Sequence, residues 1–189
     1  MEADWEVEIG GDAPILDAAW PGFVDLRMRF EAIGELPEVA AFPPLGDALE
    51  RLNAGSSPVW TAKTDFWPLT SIDPYEFDMS EDDDAIGYAC YVDVLAADAH
   101  GWSSVDQVAA WCRLQCTNLH PIALRACRVD FVMRAAVLPG GHAGLGVTVY
   151  VSAAGPDNED ALRRLAEALG VCADTISSVG HSEGGSTLQ

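Results

Sequence analysis

The strongest constraint on the fold is an apolar run that occurs twice with an Asp at the same point, ACYVDVL at Ala89–Leu95 and ACRVDFV at Ala126–Val132. Along an extended chain successive side chains point to opposite faces, so parity sorts each run into two sets. Cys90, Val92 and Val94 fall on one face and Tyr91 and Asp93 on the other. In the second copy Cys127, Val129, Phe131 and Met133 oppose Arg128, Asp130 and Arg134. FVDLRMRF (Phe23–Phe30) sorts the same way, with Val24, Leu26, Met28 and Phe30 against Asp25, Arg27 and Arg29. In PVWTAKTDFW (Pro58–Trp67), Lys63 and Asp65 stand opposite Trp60, Ala62, Thr64 and Phe66. These segments predict strands of a sheet with one apolar and one polar face, and all four Asp residues are expected on the polar side.

Half of the chain's ten basic residues, Arg27, Arg29, Lys63, Arg128 and Arg134, fall on these polar faces. The simpler reading is a solvated ladder of cross-strand ion pairs, each worth about 0.2–1 kcal/mol. The alternative is a concave, charged sheet face that binds a ligand, lined by Asp25, Arg27, Lys63, Asp65, Asp93, Arg128 and Asp130. That alternative needs the groups enclosed and their pKa values shifted.

Helical periodicity fills the intervals. LGDALERLNAG carries an apolar stripe of Leu45, Ala48, Leu49 and Leu52, with Gly55 past its end. Ser103 or Ser104 caps a helix running to about residue 118, and GPDNEDALRRLAEALG gives a helix expected to stop at Gly170. Residues 36–44 are Pro-rich and expected to be irregular, and PGGHAG predicts a hairpin turn. The order β-α-β-β-α in the second half resembles the ferredoxin-like split arrangement. The expected fold class is α+β, a mixed or antiparallel sheet with helices on one face. One domain is expected over residues 1–176, with an acidic loop at 68–85 and a disordered tail at 177–189.

Charge narrows the function classes. Thirty acids against ten bases leave a net charge of −20, which repels nucleic acid and anionic lipid. No base occurs between Lys63 and Arg113, whereas eleven acids do. No apolar run reaches 18 residues, and the acidic start MEADWEVEIGGD lacks the order of a secretory signal. Five cysteines, an odd number set mostly in apolar runs, suit a reducing compartment, so a cytoplasmic location is expected.

The catalytic and metal motifs dissolve on inspection. GHSEG (Gly180–Gly184) fits the nucleophile-elbow pattern, but no apolar strand precedes it and no His follows Ser182. Cys112, Cys116 and His120 stand at successive i, i+4 steps, yet both thiols belong to the apolar stripe of their helix. The acidic loop lacks the Gly of a calcium loop, and LPGGHAGLG lacks the following helix of a phosphate loop. No metal and no cofactor is expected.

Two functions remain. The first is a non-enzymatic acidic protein that binds a more basic protein, as an inhibitor, immunity-type protein or assembly accessory; a homodimer is also compatible with these features. Its expected contact region is the acidic loop and its aromatics, Trp67, Asp73, Tyr75, Phe77, Glu81, Asp82, Asp83 and Asp84. The second is a small-molecule binder or enzyme using the charged sheet face. Acidity that serves only as salt adaptation is a third explanation for the charge.

Overall fold

The computed structural model describes residues 1–10, 14–16, 23–80, 85–98, 102–138 and 141–178. The strands are β1 (Glu2–Glu8), β2 (Ile15–Leu16), β3 (Val59–Pro68), β4 (Ile86–Ala96), β5 (Cys127–Leu138) and β6 (His142–Gly155). The α-helices are α1 (Pro37–Ala41), α2 (Pro44–Leu52), α3 (Val105–Leu119) and α4 (Asn158–Ser178). The architecture is α+β, with one mixed sheet in the order β1-β5-β6-β4-β3. β1 runs parallel to β5, the other three pairings along this path are antiparallel, and β2 continues the β1 edge along β5.

The parity of the repeated runs sets the layers. Cys90, Val92, Val94, Val129, Phe131, Met133, Val147, Val149 and Val151 are all at most 3% exposed and form one core with the helices. From α4 this core takes Leu165, Ala168, Leu169, Cys172, Ala173 and Ile176; from α3 it takes Val108, Ala109, Cys112, Cys116 and Leu119. α2 joins through Leu45, Ala48, Leu49 and Leu52, packing against α4 and β3.

Three expectations about elements are corrected. Phe23–Phe30 does not form a strand. The Asp25 carboxylate accepts the Arg27 N–H at 3.0 Å, and the Asp25 carbonyl accepts the N–H groups of Met28 and Arg29. These local bonds replace a strand ladder with a turn. Leu26 is buried while Met28 is 81% exposed, so the alternation never becomes a shared face. Within 36–44 the chain makes the short helix α1 and begins α2, each with Pro in its first turn, where a missing N–H leaves no bond unmade. Finally, α4 runs through Gly170 to Ser178, because Cys172, Ala173 and Ile176 extend its apolar stripe into the core. Packing of that last stretch outweighs the cost of about 1 kcal/mol for an internal glycine. The tail beyond Ser178, with GHSEG, lies outside the described residues.

The start of α3 follows its sequence signal, with the Ser104 Oγ accepting the Gln107 N–H at 3.2 Å. Gln115 on the same helix is fully buried, and neither polar atom of its amide has a hydrogen-bond partner among the described residues. An unmatched buried amide costs about 1–3 kcal/mol. Gln115→Met, which keeps the volume and removes both polar atoms, is therefore expected to stabilise the fold by about that amount. Denaturant titration checks it: a midpoint that falls would mean that the amide is serving the fold.

Candidate functional site: the concave face of the sheet

The face of the sheet turned away from the helices is curved. Ile15 of β2 packs with Leu95, Ala136 and Leu138 and with Trp60 and Ala62 of β3, so the two edges of the sheet meet at this end. With strands about 4.8 Å apart, a flat sheet would hold those edges about 19 Å apart. Gly146 of β6 allows the closure, since a Cβ there would lie 2.8 Å from both Ile15 Cδ1 and Leu95 Cδ2. The polar face is thus a cup, closed at one end by a small apolar plug.

Next to the plug sits the most unusual group of the face. Asp93 is 7% exposed, and its carboxylate accepts the Thr148 hydroxyl proton at 2.6 Å. Burial pushes its pKa above the ordinary carboxylate value; the Thr148 bond and the charges of Arg134 and Lys63 partly oppose this. Lys63 lies beside Tyr91, its Nζ 5.9 Å from the centre of that ring, and this neighbour raises the Lys63 pKa. Tyr91 is itself raised, chiefly by burial. At neutral pH the pair is a charged ammonium beside a neutral phenol.

Toward the open end the floor becomes aromatic. Tyr91 and Tyr150 lie 5.7 Å apart between ring centres, and Trp67 stands 6.0 Å from Tyr91 and 6.5 Å from Tyr150. Beyond them Arg128 grips Asp130 with two bonds, Nε to Oδ2 at 2.7 Å and Nη2 to Oδ1 at 2.6 Å, and the carboxylate raises the Arg128 pKa. Arg134 bridges to Glu8 of β1 at 2.7 Å. A groove of about 470 Å³ opens here, bounded by β1, β5, β6 and the start of the acidic loop. Among the described residues its acids are Asp4, Glu6, Glu76 and Asp130, and its bases, Arg128 and Arg134, are already held by Asp130 and Glu8.

The expected ladder of cross-strand ion pairs is replaced by a different arrangement. Register places Asp130 opposite Asp4 on one side and Tyr150 on the other, and Asp93 opposite Thr148. No base is paired with Asp130 across either neighbouring strand, so Arg128 reaches along its own strand instead; Asp93 has Lys63 beside it, at the break in the β3 register. Among the described residues, Arg134–Glu8 is the ion pair that crosses between strands of this face.

The sequence-predicted residues separate into groups. Lys63, Asp93, Arg128 and Asp130 line the cup, and Trp67 shares its aromatic floor. Asp65 is exposed and binds the N–H of Phe66. Asp25 and Arg27 leave the face with their turn: they pair at 2.8 Å, which lowers the Asp25 pKa, and the Arg27 guanidinium stacks 3.9 Å over Trp60. In the acidic loop, Asp73 caps the short 3₁₀ helix Pro74–Phe77 by accepting the Tyr75 N–H, and Tyr75 is 76% exposed. Phe77 is buried with Ala126 and Ala154 and anchors the loop to the end of the sheet. Glu81, Asp82, Asp83 and Asp84 lie outside the described residues.

Thr148, Tyr150, Glu8, Asp4, Glu6 and Glu76 join the site without having been singled out as site residues. The alternations VTVYVS and WEVE carried the signal for most of them, since parity alone puts Thr148 with Tyr150 and Glu6 with Glu8. Away from this face, burial pushes the Cys112 and Cys116 thiols up to about 12 and about 11, while His120 sits exposed at the end of α3. The chain matches no protein-family model, and no curated protein or solved structure is significantly similar to it.

Proposed function

We propose that this chain is a non-enzymatic, cytoplasmic acidic protein that binds a more basic protein partner, in an inhibitory, immunity-type or accessory role. The concave face, rather than the acidic loop alone, is the contact. The observation that carries this reading is the groove at the open end of the cup, where Asp4, Glu6 and Glu76 stand beside two arginines already paired with Asp130 and Glu8. A cationic side chain entering there meets uncompensated negative charge, with the Trp67, Tyr91 and Tyr150 rings beside it. The −20 net charge adds long-range attraction for the same partner. A ferredoxin-like arrangement of the second half belongs to the same reading, supported by β4 and β5 running parallel on either side of β6.

The test is recovery of a partner at low salt, identification by mass spectrometry and titration with the purified pair. Affinity should fall steeply as salt rises through about 0.2 M. The triple variant Asp4→Asn, Glu6→Gln, Glu76→Gln should bind about tenfold more weakly or worse, whereas replacing Asp82, Asp83 and Asp84 by Asn should cost less. Binding insensitive to salt, or unchanged in the triple variant, overturns the proposal.

A second reading, a small-molecule ligand or substrate in the cup, draws on Asp93. A buried carboxylate with a raised pKa beside Lys63 and Tyr91 is the kind of group that moves protons. Under this reading Asp93→Asn abolishes ligand binding or turnover, whereas partner binding at the acidic groove survives.

A further inference from the structure

The two edges of the sheet differ in how they are guarded. An edge strand carries unpaired backbone groups and recruits other strands unless a bulge, a Pro, a Lys or a covering element prevents it. β3 has such protection: its register breaks between Thr61 and Thr64, Lys63 sits at that break, and Pro68 ends it. The Asn53 side chain also occupies it, its Oδ1 accepting the Thr61 N–H at 3.0 Å. β1 lacks the bulge, the Pro and the Lys, and α3 packs against it with the Arg113 guanidinium over Trp5. Its seven residues pair with β5 in unbroken register, without Pro or Lys, and no other strand lies beyond it among the described residues. The only side-chain bond to its amides there is local, from the Trp5 N–H to the Asp4 carboxylate at 2.7 Å.

The side chains of β1 specify what fits. Glu2, Asp4, Glu6 and Glu8 share the concave side and are all exposed. On the other side Ala3 is buried, Trp5 is half-buried beneath the Arg113 guanidinium at 4.7 Å, and Val7 is 49% exposed, followed by Ile9 at 42%. A second copy of this chain is a poor occupant, because pairing two β1 edges sets carboxylates beside carboxylates. A strand with Lys or Arg at alternate positions and apolar residues between them satisfies both sides together.

Building on the acidic-partner reading above, we propose that the basic partner docks by β-augmentation. An extended segment that alternates cationic and apolar residues adds to the β1 edge, with its cations over Glu2, Asp4, Glu6 and Glu8 and its apolar residues covering Val7. Main-chain bonds give affinity, and alternation gives selectivity.

The probe is a seven-residue peptide alternating Lys and Val, compared by fluorescence anisotropy at low salt with a block peptide of identical composition. A third peptide alternates Lys and Val but carries N-methyl groups on the amides that face β1. The alternating peptide should bind about tenfold more tightly than the block peptide, and N-methylation should remove that advantage. Glu6→Lys in the protein, an exposed change, should weaken the alternating peptide selectively. Equal affinity for the alternating and block peptides overturns the edge mode and leaves the acidic-partner reading standing. Failure of both basic peptides to bind better than an uncharged Ser/Val peptide overturns that reading as well.

Discussion

Replacing Phe131 with Ala is expected to destabilise the protein by about 3–5 kcal/mol, the range for deleting a fully buried aromatic ring. Phe131 is 0% exposed and lies at the middle of β5, its ring edge-on to Trp111 at 5.8 Å, with Trp111 in turn 4.9 Å from Trp102. Removing it opens a cavity between α3 and the sheet that neighbouring rings on two different elements cannot all move to fill. The same strand carries Arg128, Asp130 and Arg134 on its opposite face, so loosening it also disturbs the groove. Denaturant unfolding should show a lower midpoint with an unchanged slope. A loss below about 1 kcal/mol would mean that the core is far less packed around this ring than its burial indicates.

The second large effect is expected at the buried Asp93–Thr148 pair. Thr148→Val preserves shape but removes the hydroxyl that, alone among the side chains of the described residues, donates a hydrogen bond to that carboxylate, and should cost about 1–3 kcal/mol at neutral pH. Asp93→Asn tests the charge. Because burial raises the folded-state pKa of Asp93, the native protein binds more protons than the unfolded chain between the ordinary carboxylate value of 3.8 and that raised value. Stability therefore falls as pH rises through that window and the contribution levels off above it. Asp93→Asn should flatten this part of the stability–pH curve, gaining relative to the parent on the neutral side and losing that gain in acid. A parent curve that rises through the same window more steeply than that of the Asn variant would refute the assignment, since it would mean that Lys63 and Arg134 overcompensate burial. Thr148→Val should act in the opposite sense, deepening the loss at neutral pH most.

These two sites illustrate how differently features were legible. The placement of Phe131 in the core and Asp93 on the far face follows from two-residue periodicity, which β-strand geometry enforces whatever the strand's neighbours are. The burial of Asp93 does not follow from it. That depends on curvature, on the plug of Ile15, Leu95 and Trp60, and on Thr148 arriving opposite through the β4–β6 register. The reading of Phe23–Phe30 as a strand failed for a related reason. Alternation describes a capacity, and there the bonds from Asp25 to Arg27, Met28 and Arg29 offered the backbone a closer set of partners. Gly170 misled in the reverse direction, because the stop signal is worth less than the burial of Cys172, Ala173 and Ile176 beyond it.

Strand faces, helix stripes, the capping of α3 by Ser104 and the acidic character of any contact surface were written in the order of residues, because each depends on neighbours a few positions apart. Strand order, the cup, the pairing of Arg128 with Asp130 along one strand, and the contrast between the guarded β3 edge and the open β1 edge arose only when distant segments met. They depend on register and curvature, and those are set by which segments pack together across the whole chain, which local pattern does not encode.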